Sequence, residues 1–101
     1  MIRMRILQTF DAGREAEFMK LEREFEKLEL MHKDFPRGRR FCPVSSALPS
    51  NTLIWECDFS DLDAAHAALK FFAGNPHHEA LAVQQRPFIR DVRIEFLESL
   101  F

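Results

Sequence analysis

The sequence predicts an α+β fold: a four-stranded antiparallel sheet with helices on one face, in the order β-α-β-β-α-β. Three observations lead there. Residues 2–10, 52–59 and the segment around 92–97 alternate apolar and polar side chains with the period of half-buried strands. Residues 14–33 and 61–73 space their apolar side chains by three and four, as one face of a helix does. Finally, the strands at 2–10 and 52–59 share one antiparallel register that sorts both faces. It sets Ile6 opposite Trp55, Met4 opposite Cys57 and Ile2 opposite Phe59 on one face. On the other it sets Leu7 opposite Ile54, Arg5 opposite Glu56 and Arg3 opposite Asp58. Apolar meets apolar and opposite charges meet, as cross-strand pairs prefer.

The first strand, 2–10, ends at Asp11-Ala12-Gly13, a break that starts a helix. That helix puts Phe18, Leu21, Phe25, Leu28 and His32 on its inner stripe, with Glu and Lys outside; Pro36 and Gly38 end it. The segment 34–40 holds Arg37, Arg39 and Arg40, read as a solvated turn, with a small anion-binding loop as the alternative. Residues 40–46 read as a short strand, and Pro43 confines it to a sheet edge because proline lacks a ladder donor. A turn at 47–51 leads into 52–59. Ser60 fits the next helix's N-cap, with Asp63 three residues on. Its stripe is Leu62, Ala65, Leu69 and Phe72, with His66 alongside, and Gly74 stops it. Asn75-Pro76 starts a further helix over about 76–86. In the last strand Val92, Ile94 and Phe96 share one face, and Arg93, Glu95 and Leu97 the other. The simplest folding of this order is ferredoxin-like, strand order 4-1-3-2.

A chain of 101 residues is expected to form one domain, 1–101. A net charge of −2 offers no basic face for nucleic acid, and no apolar run reaches the ~18 residues of a membrane span. No membrane partner is therefore expected, and the expected compartment is the cytoplasm. Cys42 and Cys57 do not make a disulfide framework; they flank the 48–51 turn, and a hairpin centred there would bring them close. Eleven Phe, one Trp and no Tyr leave acid–base chemistry to His, Asp, Glu, Lys or Cys. No HxxxH, HExxH or Cys/His spacing is present, so neither a metal nor a cofactor is expected.

Three segments resemble the dimeric α+β barrel superfamily. They are the opening strand leading through Gly13 to the Phe18 helix, TLIWECDFSDLDAAH, and NPHHEALAVQQRPFIRDVRIEFLESL. Within that superfamily the chain is similar to NIPSNAP-like and antibiotic-biosynthesis monooxygenase-like proteins. The resemblance implies a homodimer through the polar sheet face and a ligand pocket between sheet and helices. It also implies one of two activities. The first is a cofactor-independent monooxygenase-like oxidoreductase acting on a small aromatic or hydrophobic substrate. The second is a non-enzymatic ligand-binding or accessory protein. A third reading is an interaction module whose pocket is filled by its own Phe side chains.

The candidate residues follow. Trp55 lies on the helix-facing side of its strand, either as core filler or as a wall on which a flat ligand stacks. His66 is the acid–base candidate, because an ordinary imidazole titrates near neutrality. His32 and Phe88 complete the expected pocket; His32 also suits the C-terminus of the first helix as a cap. His77 and His78 are neighbours pointing about 100° apart on a helix, a poor bidentate pair.

Overall fold

The computed structural model describes residues 1–101. Strands β1 (Ile2–Phe10), β2 (Arg39–Phe41), β3 (Thr52–Phe59) and β4 (Ile89–Glu98) form one sheet in the order β2-β3-β1-β4. All three pairings are antiparallel. Helices α1 (Glu15–Met31), α2 (Leu62–Gly74) and α3 (Pro76–Gln85) complete the chain, with single 3-10 turns at Ala12–Arg14 and Arg86–Phe88. This is the expected ferredoxin-like fold. The β1–β3 register is the expected one, residue for residue from Ile2↔Phe59 to Leu7↔Ile54.

Alternation decides which side chains meet. Met4, Trp55, Phe35, Ala68 and Phe72 form one core cluster under the helices, and Phe10, Phe18 and Leu53 a second. Phe10 and Phe18 stack with centroids 4.6 Å apart, tying β1 to α1. On the open face Arg3 bonds Asp58 at 2.8 Å and Arg5 bonds Glu56 at 3.2 Å. The Arg3 bond holds the Asp58 carboxyl below its usual range.

Local departures from the sequence reading have physical causes. β2 is only Arg39–Phe41, shorter than 40–46, because Pro43 cannot donate to the ladder. The α2 cap is Asp61, not Ser60; its carboxylate accepts from Ala64 N–H at 2.8 Å. Asn75 caps α3 doubly, accepting from the N–H groups of His77 and His78 at 3.0 Å each. In the β2–β3 register, Arg40 meets Trp55 and Phe41 meets Ile54. Cys57 therefore lies past Glu56, the partner of Arg39, at the far end of the hairpin from Cys42. Both thiols are free, and burial raises the Cys57 pKa, keeping it protonated and inert.

The inner face of α1 is not the stripe the spacing suggests. Its buried residues are Phe18, Glu22, Phe25 and Glu29. Two glutamates thus point inward, and Arg40 of β2 turns in to meet them.

Candidate functional site

A cavity of about 470 Å³ lies over the sheet between α1, α2 and α3 and the start of β4. One wall is aromatic: Phe25 of α1, Trp55 of β3, Phe72 of α2 and His78 of α3. The His78 ring stacks on Phe72 with centroids 4.9 Å apart and planes 10° from parallel, and Phe25 tilts against it, also at 4.9 Å. Burial pushes the His78 pKa below its ordinary 6.5, and the nearby charges of Glu29 and Glu79 only partly oppose this. The imidazole is therefore neutral at pH 7.

The other wall is a polar cluster. Arg40 Nε donates to Glu22 Oε2 at 2.6 Å, while its Nη1 and Nη2 donate to the two Glu29 oxygens at 3.2 and 2.5 Å. Burial by itself would lower the Arg40 pKa; its bonds to Glu29 and the charges of both glutamates outweigh that and raise it. Glu29 Oε1 also accepts from Gly38 N–H at 2.9 Å and from the Trp55 indole N–H at 3.3 Å. Gln85, almost fully buried, donates to Glu22 Oε1 at 2.9 Å and so joins α3 to α1. Glu29 thereby fixes three things at once: the 34–40 loop, the guanidinium and the edge of the Trp55 ring. The three arginines of that loop are not one solvated turn, because Arg40 is drawn into the site.

Of the expected pocket residues, only Trp55 lines the cavity. His66 does not. It sits on the exposed side of α2 with its ring edge-on to Phe96, centroids 5.2 Å apart. The inward face of α2 is Ala65, Ala68 and Phe72, and one residue beyond Ala65 the helix has turned about 100° away. His66 therefore does not reach the cavity, and the histidine that lines it is His78. His32 is exposed just past α1; its backbone N–H closes the helix on the Leu28 carbonyl, and its ring lies beside His77 and Phe35. Phe88 packs with the Phe10–Phe18–Leu53 cluster, under the Arg14 guanidinium at 5.7 Å. It closes the end of the core and leaves the cavity to others.

Sequence reasoning passed over Glu22, Glu29 and Gln85, and it read Arg40 as part of a turn or anion-binding loop and His78 as half of a poor bidentate pair rather than as lining residues. The signal for the glutamates was present: they share three-and-four spacing with Phe18 and Phe25. Arg40 is the cation that bridges them, and it reaches them because it pairs with Trp55 on the helix side of the sheet.

No family model and no curated protein matches the chain. Solved structures do match. An uncharacterized NIPSNAP domain protein from Burkholderia xenovorans superposes with a TM-score of 0.79 at 21% identity, over 98% of this chain and 94% of that one. A NIPSNAP family protein from Agrobacterium tumefaciens gives 0.78 at 17%, over 99% and 87%. A protein described as an antibiotic biosynthesis monooxygenase gives 0.73 at 12%, over 99% of both chains. Identities this low speak for shape alone, and the shape is unambiguous: the chain has the fold shared by the NIPSNAP-domain and antibiotic biosynthesis monooxygenase structures.

Proposed function

We propose that the chain binds a small, flat aromatic ligand in the cavity beside Trp55. The observation that carries this is the composition of the wall: four aromatic rings face a fixed carboxylate–guanidinium cluster across about 470 Å³. That volume lies within the range typical of small-molecule sites, about 300–1,000 Å³. The buried cluster pairs two carboxylates with one guanidinium, so an anionic group is disfavoured at depth. A carboxylate offers about four acceptor positions, and each Glu22 oxygen takes a single protein donor. A ligand hydroxyl fits the remainder. At the rim Arg86 and Arg90 are exposed and paired with Glu79 at 3.5 Å and Asp11 at 2.9 Å; an acidic substituent would take the place of those partners.

Trp55 is the only tryptophan, so its fluorescence reports on the site. Titration with a hydroxynaphthoate is expected to quench it saturably. Ala82→Phe, which fills the cavity, is expected to weaken binding about tenfold or more, the effect of losing about 1.4 kcal/mol. Quenching that is unchanged in the filled variant would put the ligand elsewhere.

A second reading, oxidation, rests on the neutral His78 imidazole. In a monooxygenase-like oxidoreductase with no cofactor, His78 takes a proton from an activated ring methylene of the bound substrate. The resulting carbanion reduces O2, and the balance is CH2 + O2 → C=O + H2O, with all electrons supplied by the substrate. Because burial lowers the His78 pKa, the base stays active through neutrality. Turnover is lost as pH falls through that lowered value, where the ring becomes protonated. His78→Phe is expected to keep binding and abolish O2 uptake. Uptake at the wild-type rate would leave the protein a non-enzymatic binder.

The same reading places a second copy of the chain on the open sheet face. Arg3 and Arg5 are neutralised within the chain, which leaves Phe41, Ile54 and Leu97 to pack across a two-fold axis. Light scattering at micromolar concentration is expected to give twice the chain mass; a monomer overturns this. No helix is long and apolar enough to cross a membrane. A reducing compartment such as the cytoplasm suits two free thiols.

A further inference from the structure

The polar wall of the cavity is unevenly satisfied. Glu29 accepts four bonds, from the Gly38 N–H, two Arg40 nitrogens and the Trp55 indole, about the full capacity of a carboxylate. Glu22 accepts two, one on each oxygen. Gln85, 2% exposed, turns its amide nitrogen toward the Phe18 carbonyl at 3.4 Å and Glu22 Oε1 at 2.9 Å. Both neighbours are acceptors, so the amide cannot be turned the other way round. Its oxygen, Oε1, is left beside Glu22 with no protein donor, on a residue that lines the cavity. Arg40 turns all three of its nitrogens to the glutamates, and the Trp55 N–H is taken by Glu29. What remains on Glu22 and Gln85 is acceptor capacity.

Charge points the same way. In the cluster two carboxylates share one guanidinium. At the rim Arg86 and Arg90 are matched by Glu79 and Asp11, and Asp91 adds a further lining carboxylate. The neutral His78 ring adds no cation. The surroundings of the cavity therefore carry an excess of negative charge, faced by the rings of Phe25, Trp55 and Phe72. Aromatic faces attract cations. A hydroxyl has one donor, so it answers one of the two acceptors and sets its own lone pairs against the other; an ammonium has three donors and no acceptor. We propose that the cavity selects a primary aromatic amine, its ammonium bridging Glu22 and Gln85 Oε1 and its ring lying against Trp55 and Phe72. This names the ligand class of the cavity and rests on the reading of that cavity as a ligand site. Glu22 is already held by Gln85 and Arg40 before a ligand arrives, which limits the cost of taking the ammonium out of water.

The test compares two probes of one shape, naphthylmethylamine and naphthalenemethanol, by titration calorimetry on the full chain at pH 7. The amine is expected to bind about tenfold more tightly, because a charge-assisted bond to a carboxylate exceeds a neutral one. Ala82→Phe is expected to weaken both probes, which places them in the cavity. Glu22→Gln keeps the size of the side chain and removes its charge, and is expected to cost the amine about tenfold more than it costs the alcohol. An alcohol that binds as tightly as the amine, with both still weakened by Ala82→Phe, would overturn the amine proposal and leave the cavity a ligand site. Probes indifferent to Ala82→Phe would overturn both readings. An equal loss for the two probes in Glu22→Gln would also count against the amine. The comparison of probes needs no variant, so it decides even if Glu22→Gln does not fold.

Discussion

Replacing Arg40 with alanine is expected to cost about 3–5 kcal/mol of folding stability, the usual penalty for removing one member of a buried ion pair. Glu22 and Glu29 would remain buried with no cation between them. Neither can turn to water without leaving the inner face of α1, which also holds Phe18 and Phe25. The loss is read as a lower denaturant midpoint at unchanged slope. Arg40→Lys is expected to recover only part of it, since one ammonium cannot make the two-oxygen contact with Glu29 and also reach Glu22. A loss under about 1 kcal/mol for Arg40→Ala would show that the cluster behaves as a solvated surface pair.

Gly38→Ala is expected to be nearly as damaging and to act on the cavity as well. A Cβ at this position would stand 1.8 Å from the Trp55 indole nitrogen and 2.0 Å from Cε2. The indole packs among Met4, Phe35, Ala68 and Phe72 and also lines the cavity, so the room it has to move is ligand space. Either the ring tilts and gives up its bond to Glu29, or the loop lifts and gives up the Gly38 N–H bond to the same oxygen. Overpacking of this kind costs about 1–3 kcal/mol, and so close an approach belongs at the upper end. Trp55 emission is expected to shift red, and hydroxynaphthoate affinity to fall with it. An unshifted spectrum would mean that the loop, rather than the ring, gives way.

The fold was legible because alternation is a strong local signal. One register of β1 on β3 satisfied both faces, and no neighbouring register does. Caps and strand ends were less legible: Ser60 and Asp61 are both good cap residues, and only the reach of Asp61 to Ala64 chooses between them. The site was least legible. Trp55 followed from strand period, but glutamates on a helix are assigned to solvent by default. Seeing Glu22 and Glu29 as buried required knowing that Arg40 lies on the Trp55 side of the sheet, a tertiary fact. For the histidines the placement turned on angle. His66 lies one residue past an inward alanine, whereas the double cap by Asn75 sets the phase of α3 and turns His78 inward.

The central place of β1 bears on how the chain folds as it is made. Its two partners, β3 and β4, come from the middle and the far end of the chain, and Ile2 finally pairs with Glu98. At about 5–20 residues per second, a ribosome leaves one side of β1 unpaired for several seconds after the strand emerges. Throughout that interval the backbone edge of β1 that later takes β4 stays open. A sheet closed by its last strand therefore depends on speed of synthesis and on chaperone protection, as well as on final stability.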